Sequence, residues 1–227
     1  MPVFRLTHRL VFPHPELAES DGLLAVGGDL SEKRLLLAYS QGIFPWYTEG
    51  YPILWWSPDP RLVLIPDELK VSRSLRQTLR KNLFTVTADT AFEGVIRSCA
   101  ETPRKGGEGT WITEDMVEAY TRLHRSGYAH SIESWHNGEL AGGLYGIALG
   151  KAFFGESMFA RESNASKVAF ARLVRKLIEW DFRIIDCQVT TRHLVSLGAK
   201  ELPRAEFMAL LRQALATPSQ PGKWDLR

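Results

Sequence analysis

The segment from His130 to Leu149, HSIESWHNGELAGGLYGIAL, decides the fold class of this chain. At its centre is Asn137-Gly138, a dipeptide that favours a two-residue turn because both residues accept a positive φ. Apolar residues recur on either side of that turn, as they do in strands that bury at least one face. The segment therefore predicts a β-hairpin, and Gly150 turns the chain into a third strand, Lys151 to Glu156.

The sequence that follows predicts a long helix and then one more strand. Apolar residues recur every three or four positions between Asn164 and Trp180, which is the period of an amphipathic helix. The run from Arg183 to Val189 has the length and apolar content of a buried strand. An antiparallel meander, a helix and a further strand form the core order of the Gcn5-related N-acetyltransferase fold. The predicted class is therefore α+β with a mostly antiparallel central sheet.

The first 62 residues differ in composition from the rest and predict a small N-terminal α/β domain. They are rich in Gly, Pro and Trp, and a helix is expected from Ser31 to about Gly42. After them, Leu62 to Ile65 predicts a buried strand. The predicted domains are therefore 1–62 and 63–227, and the second carries the acyltransferase-like pattern.

The window from Gly42 to Arg61 holds three of the seven tryptophans and four of the twelve prolines. Each proline removes a backbone donor and restricts the residue before it, so we expect an ordered loop rather than a helix or strand. Flat side chains on a rigid loop suit stacking on a nucleobase. Filling of the core is the alternative for each tryptophan.

Composition and charge exclude several classes of protein. The net charge of +2 does not by itself indicate a nucleic-acid-binding protein. No apolar run approaches the roughly 20 residues that span a bilayer, and the N-terminus shows no signal peptide. Cys99 and Cys187 are too few for a disulfide framework or a zinc site, so a cytoplasmic protein with reduced thiols is expected. The polar tail after Thr217 is expected to be poorly ordered.

Several motifs, taken in order, resemble the leucyl/phenylalanyl-tRNA–protein transferases. The aromatic window and the stretch DGLLAVGGDL at 21–30 match the N-terminal signature of that family. The resemblance continues through EGTWIT at 108–113, HSIE at 130–133, GESMF at 155–159, NASK at 164–167, IDCQ at 185–188 and SLGA at 196–199. These motifs are collinear from about Phe12 to Pro203, and a series of this length in one order is highly specific.

The resemblance implies an enzyme that moves Leu, Phe or Met from aminoacyl-tRNA to the N-terminal Arg or Lys of a protein. The product would be marked for N-degron degradation. The donor is an activated ester, so aminolysis runs downhill without ATP, metal or another cofactor. The acceptor's α-amine has an ordinary pKa of about 8, which leaves a reactive neutral fraction at neutral pH. Positioning of the amine beside the ester carbon then supplies most of the catalysis, with help from proton transfer.

Asp186 and Gln188 fit the chemical steps of that reaction. They lie two apart on a predicted strand, so both side chains should enter one pocket while Ile185 and Cys187 point away. The carboxylate can accept a proton from the incoming amine or orient it, and the resemblance leaves these two roles open. The amide of Gln188 can donate hydrogen bonds to the reacting groups.

Glu156 is the third candidate for the catalytic site. It ends the predicted third strand in an apolar context, where a buried carboxylate needs a cationic or hydrogen-bonding partner. The resemblance offers two such partners, the donor's α-amino group and the basic N-terminal residue of the acceptor. A structural salt bridge to Arg161 is the alternative.

The resemblance also implies an apolar pocket for the donor's side chain and aromatic residues for the terminal adenosine. Trp46 and Trp111 match the family's aromatic residues beside the site and are the candidates for contact with that adenosine. The pocket should admit Leu, Phe or Met and exclude polar side chains, which lose their hydration on entry. Its candidate residues are Leu144, Phe153, Met158, Phe170, Leu173, Leu177 and Ile185.

Basic residues at two places are candidates for contact with the RNA. One set recurs at the spacing of a helix face, which can follow the phosphates of an acceptor stem, although a solvated face is the alternative. The other set flanks the start of the long helix, where Asn164 is the expected cap and a phosphate of the RNA end can bind. The candidates are Arg73, Arg76, Arg80 and Lys81 in the first set and Arg161 and Lys167 in the second.

Three other functions remain open from the sequence. A CoA-dependent acetyltransferase needs a glycine-rich loop before the long helix, whereas FARESNASK at 159–167 has no glycine, so CoA is not expected. A transferase that builds peptidoglycan bridges shares the fold but normally uses two such domains, and this chain has room for one. A non-catalytic tRNA-binding module would not need Asp186, Gln188 and Glu156 beside an apolar pocket.

Overall fold

The computed structural model describes residues 3–102 and 111–226, and within them the chain forms two sheets, seven α-helices and two short 3-10 helices. The strands are β1 (Phe4–Leu6), β2 (Leu23–Gly27), β3 (Phe44–Pro45), β4 (Leu54–Trp56), β5 (Arg61–Leu64), β6 (Thr85–Ala88), β7 (Ala129–His136), β8 (Glu139–Leu149), β9 (Ala152–Ala160), β10 (Ile184–Gln188) and β11 (Lys200–Leu202). The helices are α1 (Glu32–Ser40), α2 (Arg73–Arg80), α3 (Phe92–Glu101), α4 (Glu114–Arg125), α5 (Ala165–Glu179), α6 (Arg192–Ser196) and α7 (Arg204–Leu215). Positions 108–110 of the EGTWIT motif lie outside the described residues.

The larger sheet confirms the predicted fold class. Its strand order is β11-β5-β10-β9-β8-β7-β6, and each described pair is antiparallel except β9 with β10. Strands β7, β8 and β9 are the predicted meander, α5 is the predicted long helix, and β10 returns parallel to β9. This is the order expected for a Gcn5-related N-acetyltransferase fold.

Local sequence explains the hairpin at the centre of this sheet. Asn137 and Gly138 both adopt positive φ, 51° and 83°, as a two-residue turn with the twist of the flanking strands requires. Gly142 on β8 allows α5 to approach the sheet closely, because an added Cβ there would lie 2.7 Å from Cβ of Ala165. The hairpin and the helix that covers it are therefore both set by residues in the segment that decides the fold.

The larger sheet separates two apolar cores, as the alternation of side chains along its strands requires. On β9, Phe153 joins the core beneath α5, whereas its neighbour Phe154 joins the core beneath α3, α4 and α7. On β10, Ile185 and Ile184 divide in the same way. A cavity between these strands can therefore be lined by residues from both cores.

The N-terminal part differs from its prediction in one respect. The aromatic window was expected to be a loop, but it contributes the short strands β3 and β4 to a sheet with the order β1-β2-β4-β3. Pro45 ends the edge strand β3, and Pro52 and Pro58 lie outside β4, which is how the sheet tolerates them. The predicted boundary at residue 62 falls inside β5, a strand of the larger sheet, and the division into two domains stays a prediction.

Three further expectations need correction. Strand β6 was not predicted, and it forms at the sheet edge by pairing with β7. The tail after Thr217 is not loose, because Trp224 packs against the larger sheet. Asn164 occupies the cap position of α5 with φ of 69° but makes no capping hydrogen bond through its side chain.

Among the described residues, no helix combines the length and apolar character needed to cross a membrane.

Candidate active site

A cavity of about 360 Å³ opens where strands β9 and β10 diverge. Their parallel pairing runs from Ile184↔Ala152 to Asp186↔Phe154, and β9 then continues alone to Ala160. Strand β10 instead bulges between Asp186 and Gln188, and Gln188 takes a positive φ of 62°. The gap between the diverging strands is therefore a concave site whose walls come from both cores.

Glu156 lies in the middle of β9 rather than at its end, and its carboxylate faces this cavity. The hydroxyl of Tyr39 donates to Oε1 over 2.7 Å, and Nε2 of Gln188 donates to the same oxygen over 2.8 Å. The hydroxyl of Tyr120 donates to Oε2 over 3.0 Å and lies in close contact with that of Tyr39. The buried carboxylate thus has three neutral donors, and the alternative of a salt bridge to Arg161 is not what the described contacts show.

Burial raises the pKa of Glu156, so its carboxyl group can both bind and release a proton near neutral pH. Loss of hydration raises the pKa of this carboxyl to about 7, although the bonds from Tyr39, Tyr120 and Gln188 act in the opposite direction. The same burial, with the nearby carboxylate, raises the pKa of both tyrosine hydroxyls well above their usual value. The tyrosines therefore stay protonated as donors while Glu156 can change its state.

Asp186 does not enter the cavity as the strand alternation predicted. Both of its oxygens are bound by Arg61, over 2.8 Å from Nε and 2.7 Å from Nη2, and both residues are fully buried. The guanidinium is held between the rings of Phe44 and Phe207, each centred 4.7 Å from its Cζ. Ile185 and Cys187, which were expected to point away, line the cavity instead.

Asp186 still acts on the site through the backbone. Its Oδ1 accepts a hydrogen bond of 2.9 Å from the amide N–H of Gln188, at the residue where β10 bulges. That bond supports the left-handed conformation from which the side chain of Gln188 reaches Glu156. Asp186 and Arg61 therefore position Gln188.

The apolar wall of the cavity contains most of the predicted pocket residues. Leu173 and Leu177 differ, because both are fully buried in the core beneath α5 and do not line the cavity. The predicted residues that do line it are Leu144, Phe153, Met158, Phe170 and Ile185.

Aromatic residues form part of the cavity's rim. Trp46 and Trp111 both line it, and Trp46 is 41 % exposed with its ring centred 5.8 Å from that of Trp56. The indole of Trp56 donates to the carbonyl of Trp46 over 2.7 Å, which fixes the loop that carries the exposed ring. An exposed, anchored indole at the rim is available for stacking.

The predicted RNA-contacting residues lie on the surface. Arg73, Arg76, Arg80 and Lys81 are exposed on α2 and at its end. Arg161 is also exposed and donates to the hydroxyl of Ser98 over 3.1 Å.

Lys167 is half-buried near the start of α5. It is close enough to His193 that its charge, after burial, lowers the pKa of that imidazole. His193 itself lines the cavity.

Sequence reasoning missed Arg61, Tyr39, Tyr120 and His193 as residues of the site. Arg61 stands in the stretch SPDPR, and its place at the start of a buried strand was the available signal, since a buried arginine needs an acidic partner. The tyrosines carried no such signal, because they come from helices 81 positions apart. Within residues 3–102 and 111–226, no cluster of His, Cys, Asp or Glu is arranged to hold a metal ion.

The fold and the cavity together define an acyltransferase-like domain with a buried carboxyl group beside an apolar pocket. Comparison with known families is more specific: the model of the leucyl/phenylalanyl-tRNA protein transferases matches residues 63–212, and that of their N-terminal domain matches residues 28–59. The chain belongs to the leucyl/phenylalanyl-tRNA–protein transferase family.

Individual relatives agree over the whole chain. A leucyl/phenylalanyl-tRNA–protein transferase of Syntrophobacter fumaroxidans is 63 % identical over 99 % of this chain and 96 % of its own. One from an Anaeromyxobacter strain is 61 % identical over 100 % of this chain and 96 % of its own. Among solved structures, a GCN5-related N-acetyltransferase from Kribbella flavida aligns with a TM-score of 0.38 and 10 % identity, over 73 % of this chain and 59 % of that one.

Proposed function

We propose that this chain transfers Leu or Phe, and also Met, from aminoacyl-tRNA to the N-terminal Arg or Lys of acceptor proteins in the cytoplasm. The product would carry a new peptide bond and an N-degron. Family membership supports the reaction class. The observation that carries the proposal for this chain is the cavity, in which an apolar wall ends on the Glu156–Gln188 pair.

The apolar wall is suited to the donor's side chain. Phe153 and Ile185 are fully buried beside the cavity, and Leu144 and Phe170 are almost so. A polar side chain that entered would lose its hydration without gaining a partner there, at a cost of roughly 2–7 kcal/mol. Selection among apolar donors depends on shape and is more modest, about 1–3 kcal/mol per methylene.

The rim is suited to the end of the tRNA. Trp46 and Trp111 would stack on the terminal adenosine, at roughly 1–3 kcal/mol per stacked base. Lys167, Arg161 and the basic surface of α2 would contact phosphates, which gives affinity without selecting a base sequence.

The acceptor's α-amine attacks the carbonyl carbon of the ester that joins the amino acid to the tRNA. A C–N bond forms, the C–O bond to the ribose breaks, and the amine's proton must finally leave while the ribose oxygen gains one. Glu156, with a pKa raised to about 7 by burial, is matched to accept the amine's proton at neutral pH. Gln188 keeps the carboxylate in place and can present its amide to the reacting groups.

Between the two roles left open for Asp186, the geometry favours orientation. Both oxygens of its carboxylate accept hydrogen bonds from the buried Arg61, and the carboxylate does not line the cavity. Its bond to the amide of Gln188 gives it a means to shape the site without contact with the substrate. Asp186 and Arg61 are thus proposed as positioning residues.

The test is to incubate the protein with tRNA carrying labelled Leu and with a protein whose N-terminus is Arg or Lys. The proposal expects label in an acid-stable peptide bond at that N-terminus, with an acetylated N-terminus as the unreactive control. Label that stays in a base-labile ester, or equal labelling of the acetylated acceptor, would contradict it. Transfer from acetyl-CoA instead would identify the acetyltransferase alternative.

A further inference from the structure

The C-terminal segment from Ser219 to Leu226, called the strap below, is bound to the larger sheet. The hydroxyl of Ser219 accepts a bond of 2.8 Å from the amide of Gly150, and the amide of Gly222 donates to the carbonyl of Gly127 over 3.1 Å. The fit at this second point is close, because an added Cβ on Gly127 would lie 2.2 Å from the nitrogen of Gly222. The strap is therefore fixed at two points, the turn between β8 and β9 and the turn between α4 and β7.

The strap packs against the larger sheet through the side chain of Trp224. Its ring stacks on that of His130 with centroids 3.8 Å apart and an angle of 6° between the planes. Its amide donates to Oδ2 of Asp89 over 2.7 Å, and the same oxygen lies 2.9 Å from Nδ1 of His130. Main chain and ring thus hold the indole in one orientation. The rings of Trp180 and Phe182 contact it at centroid distances of 5.0 and 6.0 Å.

The indole also contacts Phe153, the residue through which the strap can affect the donor pocket. The two ring centroids are 5.9 Å apart, and Phe153 is fully buried while it lines the cavity. The ring of Phe153 lies against Gly146 of β8, where an added Cβ would come within 2.6 Å of its Cζ. Phe153 is therefore packed against both the backbone of β8 and the indole of Trp224.

We propose that Trp224 is a specificity-determining residue of the transferase, which sets the depth of the donor pocket by supporting Phe153 from behind. The inference rests on the proposed function, since it takes the cavity to be the donor's side-chain pocket. Trp224 does not touch the donor itself, so it is a positioning residue. When the indole is present, the ring of Phe153 has no room to withdraw from the cavity. When it is absent, that ring can move back and the pocket deepens.

A deeper pocket favours the larger of the two donors. Trp224→Ala should therefore shift the ratio of kcat/KM for Leu-tRNA over Phe-tRNA toward Phe by roughly 10-fold, the order expected for a small change in an apolar pocket. Trp224→Phe should give a smaller shift in the same direction, because a benzene ring fills part of the space. Binding of uncharged tRNA should be unchanged in both variants. The ring contacts and the hydrogen bond of Trp224 are to residues outside α2.

The matched control is Lys223→Ala, an exposed neighbour on the same strap. It should leave the donor ratio at the wild-type value. A second comparison uses Phe153→Ala, which removes the ring through which the effect is transmitted. In that background, adding Trp224→Ala should change the donor ratio by less than about twofold, as expected for two changes that act through one contact.

The measurement is the initial rate of peptide-bond formation for each donor, with thermal unfolding of every variant recorded beside it. An unchanged donor ratio in folded Trp224→Ala would overturn the inference, and so would a further large shift on top of Phe153→Ala. If Trp224→Ala does not fold, Trp224→Phe carries the same test. A wild-type protein that uses neither donor would instead contradict the proposed function, so the two failures are distinguishable.

Discussion

At the scale of single residues, the site depends on two carboxyl groups that their surroundings treat in opposite ways. Asp186 forms a buried ion pair with Arg61 through two hydrogen bonds, whereas Glu156 is buried among neutral donors. Burial raises the pKa of Glu156 to about 7, so this group titrates near neutrality. This contrast supports the proposed roles, which are positioning for Asp186 and proton transfer for Glu156.

Glu156 should make the free energy of unfolding depend on pH in a defined direction. Burial raises its folded-state pKa from 4.5 to about 7, so between these values the folded protein holds a proton that the unfolded chain has released. Its contribution to stability is therefore present below pH 4.5 and is lost as the pH rises to about 7. The loss is at most about 3 kcal/mol.

This dependence can be measured by urea unfolding of wild type and Glu156→Gln across pH 4 to 8. The difference between the two free energies should fall with rising pH and become constant above about 7. Glu139→Gln, at an exposed position of the hairpin, is the control and should show no such fall. A difference that is constant across the range would mean that Glu156 is not held protonated in the folded protein.

Asp186→Ala should reduce the rate of transfer by about 100-fold or more and leave the affinity for aminoacyl-tRNA nearly intact. The reason is that Gln188 loses the bond that sets its backbone, and small misplacements at a reacting centre carry costs of this size. Arg61 would also become a buried unpaired charge, which destabilises by roughly 3–5 kcal/mol.

The two effects of this substitution can be separated. Asp186→Ala with Arg61→Met should recover part of the stability without recovering the rate, as measured by urea unfolding and single-turnover transfer. Asp67→Ala, an exposed carboxylate just after β5, is the control for both measurements. Full single-turnover activity in Asp186→Ala would show that Asp186 has no part in the reaction.

At the scale of elements, α2 offers a test of the RNA surface. Neutralising Arg76 and Arg80 should raise KM for full-length aminoacyl-tRNA and flatten its dependence on salt, by roughly 0.7–0.9 in slope for each phosphate that is no longer bound. A minimal aminoacyl-adenosine donor has no acceptor stem and should be barely affected. The control is the same change at Arg122 and Arg125, which are exposed on α4. An equal loss with the minimal donor would assign α2 a structural role.

Trp111→Ala should show the opposite pattern. Stacking on the terminal adenosine is common to tRNA and to the minimal donor, so both should lose about tenfold in kcat/KM. A loss confined to the full-length tRNA, measured in the same assay, would place Trp111 away from the adenosine.

The elements themselves show what the sequence can predict and what it cannot. The hairpin at Asn137-Gly138 was predictable because turn chemistry and alternation act over a few residues. Strand β6 was not, since its residues become a strand through pairing with β7, more than forty positions away. The order of the strap was missed for the same reason, although a tryptophan in a polar tail was a usable signal.

The candidate site likewise has a part that the sequence predicts and a part that it does not. Glu156, Gln188 and most of the apolar wall line the cavity as predicted, because a family resemblance supplied them. The expectation that Asp186 and Gln188 share one pocket was wrong, because the bulge and the positive φ at Gln188 place its side chain in the cavity with Ile185 and Cys187. The Arg61–Asp186 pair joins residues 125 positions apart, and sequence spacing gives no access to such a contact.

At the scale of the whole molecule, the carboxyl group of Glu156 is bound by residues from parts of the chain that are distant in sequence. Tyr39 comes from α1 in the N-terminal part, Tyr120 from α4, and Gln188 from the bulge of β10. The cavity is thus completed by the packing of the N-terminal part on the larger sheet. Truncation at the predicted boundary would remove a donor from the site as well as a sheet.

The pH profile of single-turnover transfer, in wild type and Glu156→Gln, tests the central claim most directly. The claim is that this cavity is the site of transfer and that Glu156 accepts the amine's proton. The wild-type rate should fall as the pH drops through about 7, because protonated Glu156 cannot act as a base. Glu156→Gln should lose that inflection and be slower by about 100-fold at pH 8, at the lower end of the effect of one acid–base group. An unchanged rate and profile in this variant, with Leu-tRNA still bound, would contradict the account.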